Sequence, residues 1–189
     1  MSALPPSLSV WVADDLVCLR ITGRAACAGS VDFRRLMLGL REKGHVRFLL
    51  DLSQCQLMDS TFLGVMAWLV LQFSEGPVPA RIELLNPSAR IAGLLDNLGV
   101  AHLFPVHEGG VPRPEGAAIE SAALPAPADR AEVARTSLEA HELLSRLDPR
   151  NAARFKDVVE FLREDLEKLA RKGLAPLPPA SADLAERNP

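Results

Sequence analysis

The hydrophobic pattern changes period repeatedly along the chain, and each change marks an element. "LSVWVAD" and "LVCLRITG" are β-rich runs separated by Asp14 and Asp15, a turn signal, and they predict a hairpin. "SVDFRRLMLGLREKG" places Phe33, Leu36, Met37 and Leu40 at helical spacing, with Ser30 as the expected N-cap and Gly44 as the stop. "VRFLLDLS" is a continuous apolar run, the pattern of a central strand covered on its faces. "STFLGVMAWLVLQF" then predicts a helix and "ARIELLN" a strand. "PSARIAGLLDNLG" predicts a helix with proline near its first turn, Ile91, Leu94, Leu95 and Leu98 on one face, and Gly99 closing it; "AHLFPV" supplies a short last strand. The order β-β-α-β-α-β-α-β implies an α/β domain, a mixed sheet of about four to five strands with helices packed against it, over residues 1–108.

Periodicity stops at "PVHEGGVPRPEGAAIESAALPAPA", which holds five prolines and three glycines and has little to bury. Such a segment cannot offset its ordering entropy, so 109–128 is expected to be a Pro/Gly-rich linker. Two strong helical patterns follow over 129–173 and predict a C-terminal helical hairpin, the second helix starting at Asp148 and Pro149 as N-cap and first-turn proline. Phe155, Val158, Val159, Leu162, Leu166 and Leu169 make one apolar stripe on it. Two helices alone bury little, so the stripe needs a further surface; a second copy of the chain, giving a homodimer, is favoured here over packing back on the sheet domain. Residues 174–189, "LAPLPPASADLAERNP", are rich in proline and expected to be a disordered tail.

Composition narrows the function classes. A chain of 189 residues that is 48% hydrophobic can close one ordinary core and carry an appendage. Its net charge of -3, with both signs interleaved, gives no footprint for nucleic acid. Cys18, Cys27 and Cys55 are too few and scattered for a disulfide framework and include no CxxC pair for zinc, which suits a reducing compartment. "MSALPPSLSV" lacks the basic and apolar regions of a secretory signal, and the longest apolar run, Phe62 to Leu71, falls far short of the roughly 20 residues of a membrane helix. A cytoplasmic protein with no direct membrane insertion is expected.

Catalytic signatures are missing: there is no phosphate-binding glycine loop with a lysine, no GxGxxG after a strand, no HExxH and no GxSxG. His45, His102, His107 and His141 have no metal-ligand spacing and read as satisfied or solvated side chains. Cys55 has no histidine near it in sequence to activate it and reads as packing. No enzyme, cofactor or metal is therefore expected.

The informative join is "LMDSTFLG". Asp59 and Ser60 are both good N-caps, since a side-chain oxygen can accept from the free N–H groups of a first helical turn. A helix start also tolerates added negative charge, so a phosphate on Ser60 would sit at the positive end of the helix while adding roughly two charges beside Asp59. The following helix is apolar almost all round, with Leu63, Met66, Ala67, Val70 and Leu71 on one stripe and Val65, Trp68, Leu69 and Phe73 elsewhere, which predicts burial between the sheet and a neighbouring helix; an exposed docking patch from Phe62, Val65 or Trp68 is the alternative.

"LLDLSQCQLMDSTFLGVMAWL" resembles the signature of STAS domains of the anti-sigma factor antagonist type, an apolar strand ending in Asp-Leu-Ser followed by Asp-Ser-Ser/Thr-Gly-Leu-Gly at a helix start. "LVCLRITGRA" and "IELLNPSARIAGLLDNLGVAHLFPV" extend the resemblance over residues 7 to about 107, leaving the linker and hairpin outside it. The resemblance implies that Ser60 is phosphorylated by a serine kinase that is also the anti-sigma factor, with Thr61 a weaker candidate. It implies partner contacts at Asp59, Ser60, Thr61, Phe62 and Gly64, and a phosphatase as a further partner. Phe62 departs from the pattern, standing where a small glycine is usual, so the docking surface is expected to be reshaped there. The implied function is partner switching: binding the kinase while Ser60 is free and releasing it when Ser60 is phosphorylated. The alternatives are a STAS scaffold subunit of a signalling assembly and an accessory cytoplasmic subunit of a lipid ABC transporter.

Overall fold

The computed structural model describes residues 7–13, 15–75, 77–110 and 128–173. Most of the expected linker and the whole tail, 174–189, lie outside the described residues. Strands β1 (Ser7–Ala13) and β2 (Leu16–Ala25) form the antiparallel hairpin. Helix α1 (Cys27–Glu42) leads to β3 (Arg47–Asp51), which pairs parallel to β2. A sixth strand not foreseen, β4 (Cys55–Met58), takes up the parallel pairing with the far end of β2. Helix α2 (Ser60–Ser74), β5 (Arg81–Leu85), α3 (Ala89–Asn97) and β6 (Val106–His107) complete the sheet domain, and α4 (Arg130–Leu147) and α5 (Pro149–Arg171) form the hairpin. The sheet order is β1-β2-β3-β5-β6, with β4 beside β2 only, so among the described residues the mixed sheet has six strands, β4 being added to the about four to five expected.

The extra strand arises because β2 is long enough for two partners. Its first half pairs with β3; at Gly23, with φ 73°, the register shifts, and Gly23 N–H donates to the Gln54 carbonyl at 2.9 Å. That left-handed conformation suits glycine, and the shift lets β4 continue where β3 ends.

One face of the sheet builds the main core. Val17, Leu19 and Ile21 of β2, Phe48 and Leu50 of β3, and Ile82 and Leu84 of β5 alternate toward it and meet Phe33 and Met37 of α1, Leu63 and Met66 of α2, and Ile91 and Leu95 of α3. On the opposite face Trp11, Cys18, Leu49 and Leu85 form a smaller cluster, with the Arg20 guanidinium 5.4 Å from the Trp11 ring centroid.

The hairpin packs back on the sheet domain, which corrects the preference for a homodimer as the cover of its stripe. Ala140, Leu143 and Leu144 of α4 and Phe155 of α5 belong to the main core, so part of the stripe is covered within the chain. Leu138 and Leu166, with Val159 and Leu162 against them, close the space between the two helices. The turn of the hairpin is pinned: buried Asn151 donates from Nδ2 to the carbonyls of Leu98 and Leu144, both at 3.0 Å. Gly99, at φ 69°, lets the end of α3 come against Asp148, where a β-carbon would lie 2.4 Å from the carboxylate.

Candidate functional site

Parallel neighbours β2 and β4 end side by side, so the two helices that follow them begin side by side. Asp59 N–H donates to the Ala25 carbonyl at 3.0 Å, joining the two strand ends. Asp59 then caps both helices. Its Oδ1 accepts from Phe62 N–H of α2 at 2.9 Å, and its Oδ2 accepts from Cys27 N–H of α1 at 2.7 Å. One carboxylate thus sits between two helix N-termini, where free N–H groups and both macrodipoles favour negative charge.

This arrangement corrects the expected start of α1. Its N-cap residue is Ala26, which has no side chain to cap with, and Ser30 lies inside the helix with its hydroxyl donating to the Cys27 carbonyl at 2.7 Å. The cap comes from Asp59, 32 residues away in sequence.

Because Asp59 does the capping, Ser60 is released from it. The Ser60 hydroxyl instead lies 2.9 Å from Nε2 of His141 on α4. His141 Nδ1 is 2.8 Å from the Ser137 carbonyl, which can only accept, so Nδ1 carries the proton and neutral Nε2 accepts from Ser60 Oγ–H. His141 is 4% exposed, and burial lowers its pKa, opposed by the Ser137 carbonyl and the Asp59 charge. Its ring meets Phe155 of α5 edge-on at 4.7 Å.

The contacts continue along the first turns of α2. Buried Thr61 shares a 3.0 Å hydrogen bond with the Ser137 hydroxyl. A β-carbon on Gly64 would lie 2.7 Å from the Ala140 β-carbon and 2.8 Å from its carbonyl oxygen, so glycine is what lets α4 approach this closely. Beneath them, the Cys27 thiol interacts with Ser137 and Thr61; burial raises its pKa, as does the nearby Asp59 charge. At the edge, Arg34 reaches Glu139 of α4 at 2.5 Å with its guanidinium 3.9 Å from the Trp68 ring centroid, and Arg35 pairs with Glu132.

Asp59 and Ser60 therefore stand at a half-buried rim, while Thr61 and Gly64 lie beneath α4. Phe62, at 2% exposure, turns into the core and packs on Phe33 at 4.8 Å between ring centroids, so its ring does not reshape a surface. Val65 is buried as well, and Trp68 half-buried; the all-round apolarity of α2 is answered by the sheet, α1 and α4. His141 and Ser137 were not singled out as site residues from sequence, since nothing in their own helix distinguishes them.

Among the described residues, no group of three or more His, Cys, Asp or Glu side chains could hold a metal ion, and no helix is long and apolar enough to cross a membrane. Cys55 is buried, with its thiol directed at the Leu57 carbonyl and its pKa raised by burial.

No protein-family model matches the chain, and no curated protein matches it. Solved structures similar to it include the NMR structure of the protein TM1081, at 18% identity and a TM-score of 0.48, covering 57% of this chain and 82% of that one. They also include the anti-sigma factor antagonist SpoIIAA in its unphosphorylated form, at 17% identity and a TM-score of 0.48, covering 56% of this chain and 89% of that one.

Proposed function

We propose that this chain is a regulatory protein of the anti-sigma factor antagonist type, working by partner switching at the start of α2. It binds an anti-sigma serine kinase while Ser60 is unphosphorylated and releases it when Ser60 carries a phosphate. The observation that supports this reading is the division of labour at the join: Asp59 caps two helices, leaving the adjacent hydroxyl tied only to a side chain that can be exchanged. Ser60 can then be modified without removing a cap. The phosphate would stand where two helix N-termini converge, a place that tolerates its charge within the sheet domain, while its bulk and roughly two charges act on whatever docks there.

Asp59 and Ser60 offer the direct partner contacts. Thr61 and Gly64 become available to a partner only where it replaces α4. The chemistry needs no catalytic group in this chain, since the kinase and the phosphatase that reverses its action supply it.

Affinity purification from the native cell with the full-length parent, Ser60→Ala and Ser60→Asp tests the reading. A serine kinase retained by the parent and Ser60→Ala but lost with Ser60→Asp is the expected result. Equal retention by all three proteins contradicts it.

A further inference from the structure

Helix α4 lies on the surface that a partner of Ser60 would need. We propose that α4 is the resident occupant of this face, competing with the partner for it while Ser60 is free, and that a phosphate on Ser60 excludes both, evicting α4 by the same bulk and charge that release the partner. The proposal rests on the reading of Ser60 as the modified residue, but concerns a segment that the partner-switching motif does not include.

The contact is built from short-range pairings with no slack. Ser60 Oγ and His141 Nε2 are at hydrogen-bond distance, so a phosphoryl group has no room between them. Four residues along, one helical turn, Gly64 meets the Ala140 backbone at a distance that excludes even a methyl group, so α4 cannot rise locally at Ser60 while staying seated there. The neutral His141 tautomer offers a lone pair, not a donor, to the incoming anion. Asp59 adds a like charge beside it, and of the neighbouring cations Arg34 is already held by Glu139 and Arg35 by Glu132.

Around Ser60 the α4 face is small and polar, with Ser137, Ala140 and His141, whereas the apolar seat of α4 in the main core, Leu143 and Leu144, lies toward the α4–α5 turn. The half of α4 over Ser60 is thus the part that resembles an exchangeable contact between domains. The partly exposed ion pairs to α1 add little. By contrast, Asn151 and the Gly99–Asp148 contact fix the α4–α5 turn against the end of α3, giving the hairpin a pivot remote from Ser60. A partner that needs Thr61 or Gly64 binds only the open fraction, so its apparent affinity falls in proportion to that fraction.

Cys27 provides a native reporter, because its thiol lies against Ser137 of α4, whereas Cys18 and Cys55 are buried in the sheet domain. The experiment uses the full chain with phosphoserine genetically encoded at position 60, alongside the unmodified chain and Ser60→Asp. Alkylation by a small maleimide is followed at each cysteine at fixed pH, with amide hydrogen exchange on α4 and on β2 and β3. Eviction predicts Cys27 alkylation faster by about tenfold or more, as when a minor open state becomes dominant. It also predicts loss of protection in α4 with β2 and β3 still protected. Unchanged or slower Cys27 alkylation, as a phosphate held by a protonated His141 would give, overturns the proposal. If phosphoserine unfolds the sheet, all three cysteines react, and Ser60→Asp decides by the same readout.

Failure here is distinguishable from failure of the functional reading. A chain whose Ser60 is never phosphorylated in the cell contradicts that reading while leaving eviction by the encoded phosphoserine measurable.

Discussion

Ser60 Oγ donates to His141 Nε2 across 2.9 Å, linking the first residue of α2 to the middle of a helix 81 residues further along the chain. The hydroxyl at the head of α2 is thus one of the points where the sheet domain meets its C-terminal hairpin, beside Thr61–Ser137 and Gly64–Ala140. The contact exists because Asp59 has taken over the capping that Ser60 would otherwise perform.

Asp59 carries two helix starts, so Asp59→Ala should cost about 2 kcal/mol, roughly one for each lost cap. Asp59→Asn keeps one good acceptor and should cost about half as much. Urea denaturation of both variants measures this, and a loss no larger than that of a surface substitution would show that the caps are not shared.

Two helical glycines should respond with opposite signs. Gly64→Ala drives a methyl group into Ala140 and should destabilise by about 1–3 kcal/mol, the usual range for overpacking. Gly93→Ala in α3 meets nothing within 4 Å and should stabilise by about 0.5–1 kcal/mol through reduced freedom of the unfolded chain. Thermal unfolding of the pair separates close packing of α4 from helix propensity.

His141 predicts a pH dependence of hairpin docking. Burial holds its pKa in the folded protein below the ordinary 6.5, so the unfolded or undocked histidine binds protons first as pH falls. The docked state is fully favoured above that value, and its advantage declines as pH drops below it toward the depressed pKa. Unfolding midpoints at pH about 7.5 and about 5.5 should differ more in the parent than in His141→Asn, which removes the titrating group. Equal slopes would assign the pH dependence to other residues.

Asn151→Ala should loosen the hairpin at its pivot. The amide is buried and serves two carbonyls, so its loss should cost roughly 2 kcal/mol or more. Hydrogen exchange should show the weakening in α4 and α5 before the sheet.

Much of the sheet domain was legible because its signals are local: the β-rich runs of β1 and β2, the apolar run of β3, and the apolar face of α3 that buries Ile91 and Leu95. What escaped reading depends on residues brought together from afar. β4 is four residues whose pairing is set by the shift at Gly23, not by their own pattern. The start of α1 was misplaced because its cap is Asp59, across the strand ends. The Phe155 stripe was visible, but its destination was not: it closes on α4 and the main core, and α4 itself meets α2 through a glycine, a threonine and a serine, which leave no hydrophobic signature. From sequence His141 reads only as a satisfied or solvated histidine; the fold makes it buried with two hydrogen bonds and shows that one of them goes to Ser60.

The central claim is that Ser60 is a modified residue and not simply the first residue of a helix. Mass-spectrometric mapping of phosphorylation sites on the full-length protein, purified from its native cell with phosphatases inhibited, tests this most directly. A phosphate on Ser60, rising and falling with growth condition while buried Thr61 stays unmodified, is the predicted result. A Ser60 that remains unmodified under every condition, with the protein expressed and folded, would contradict it.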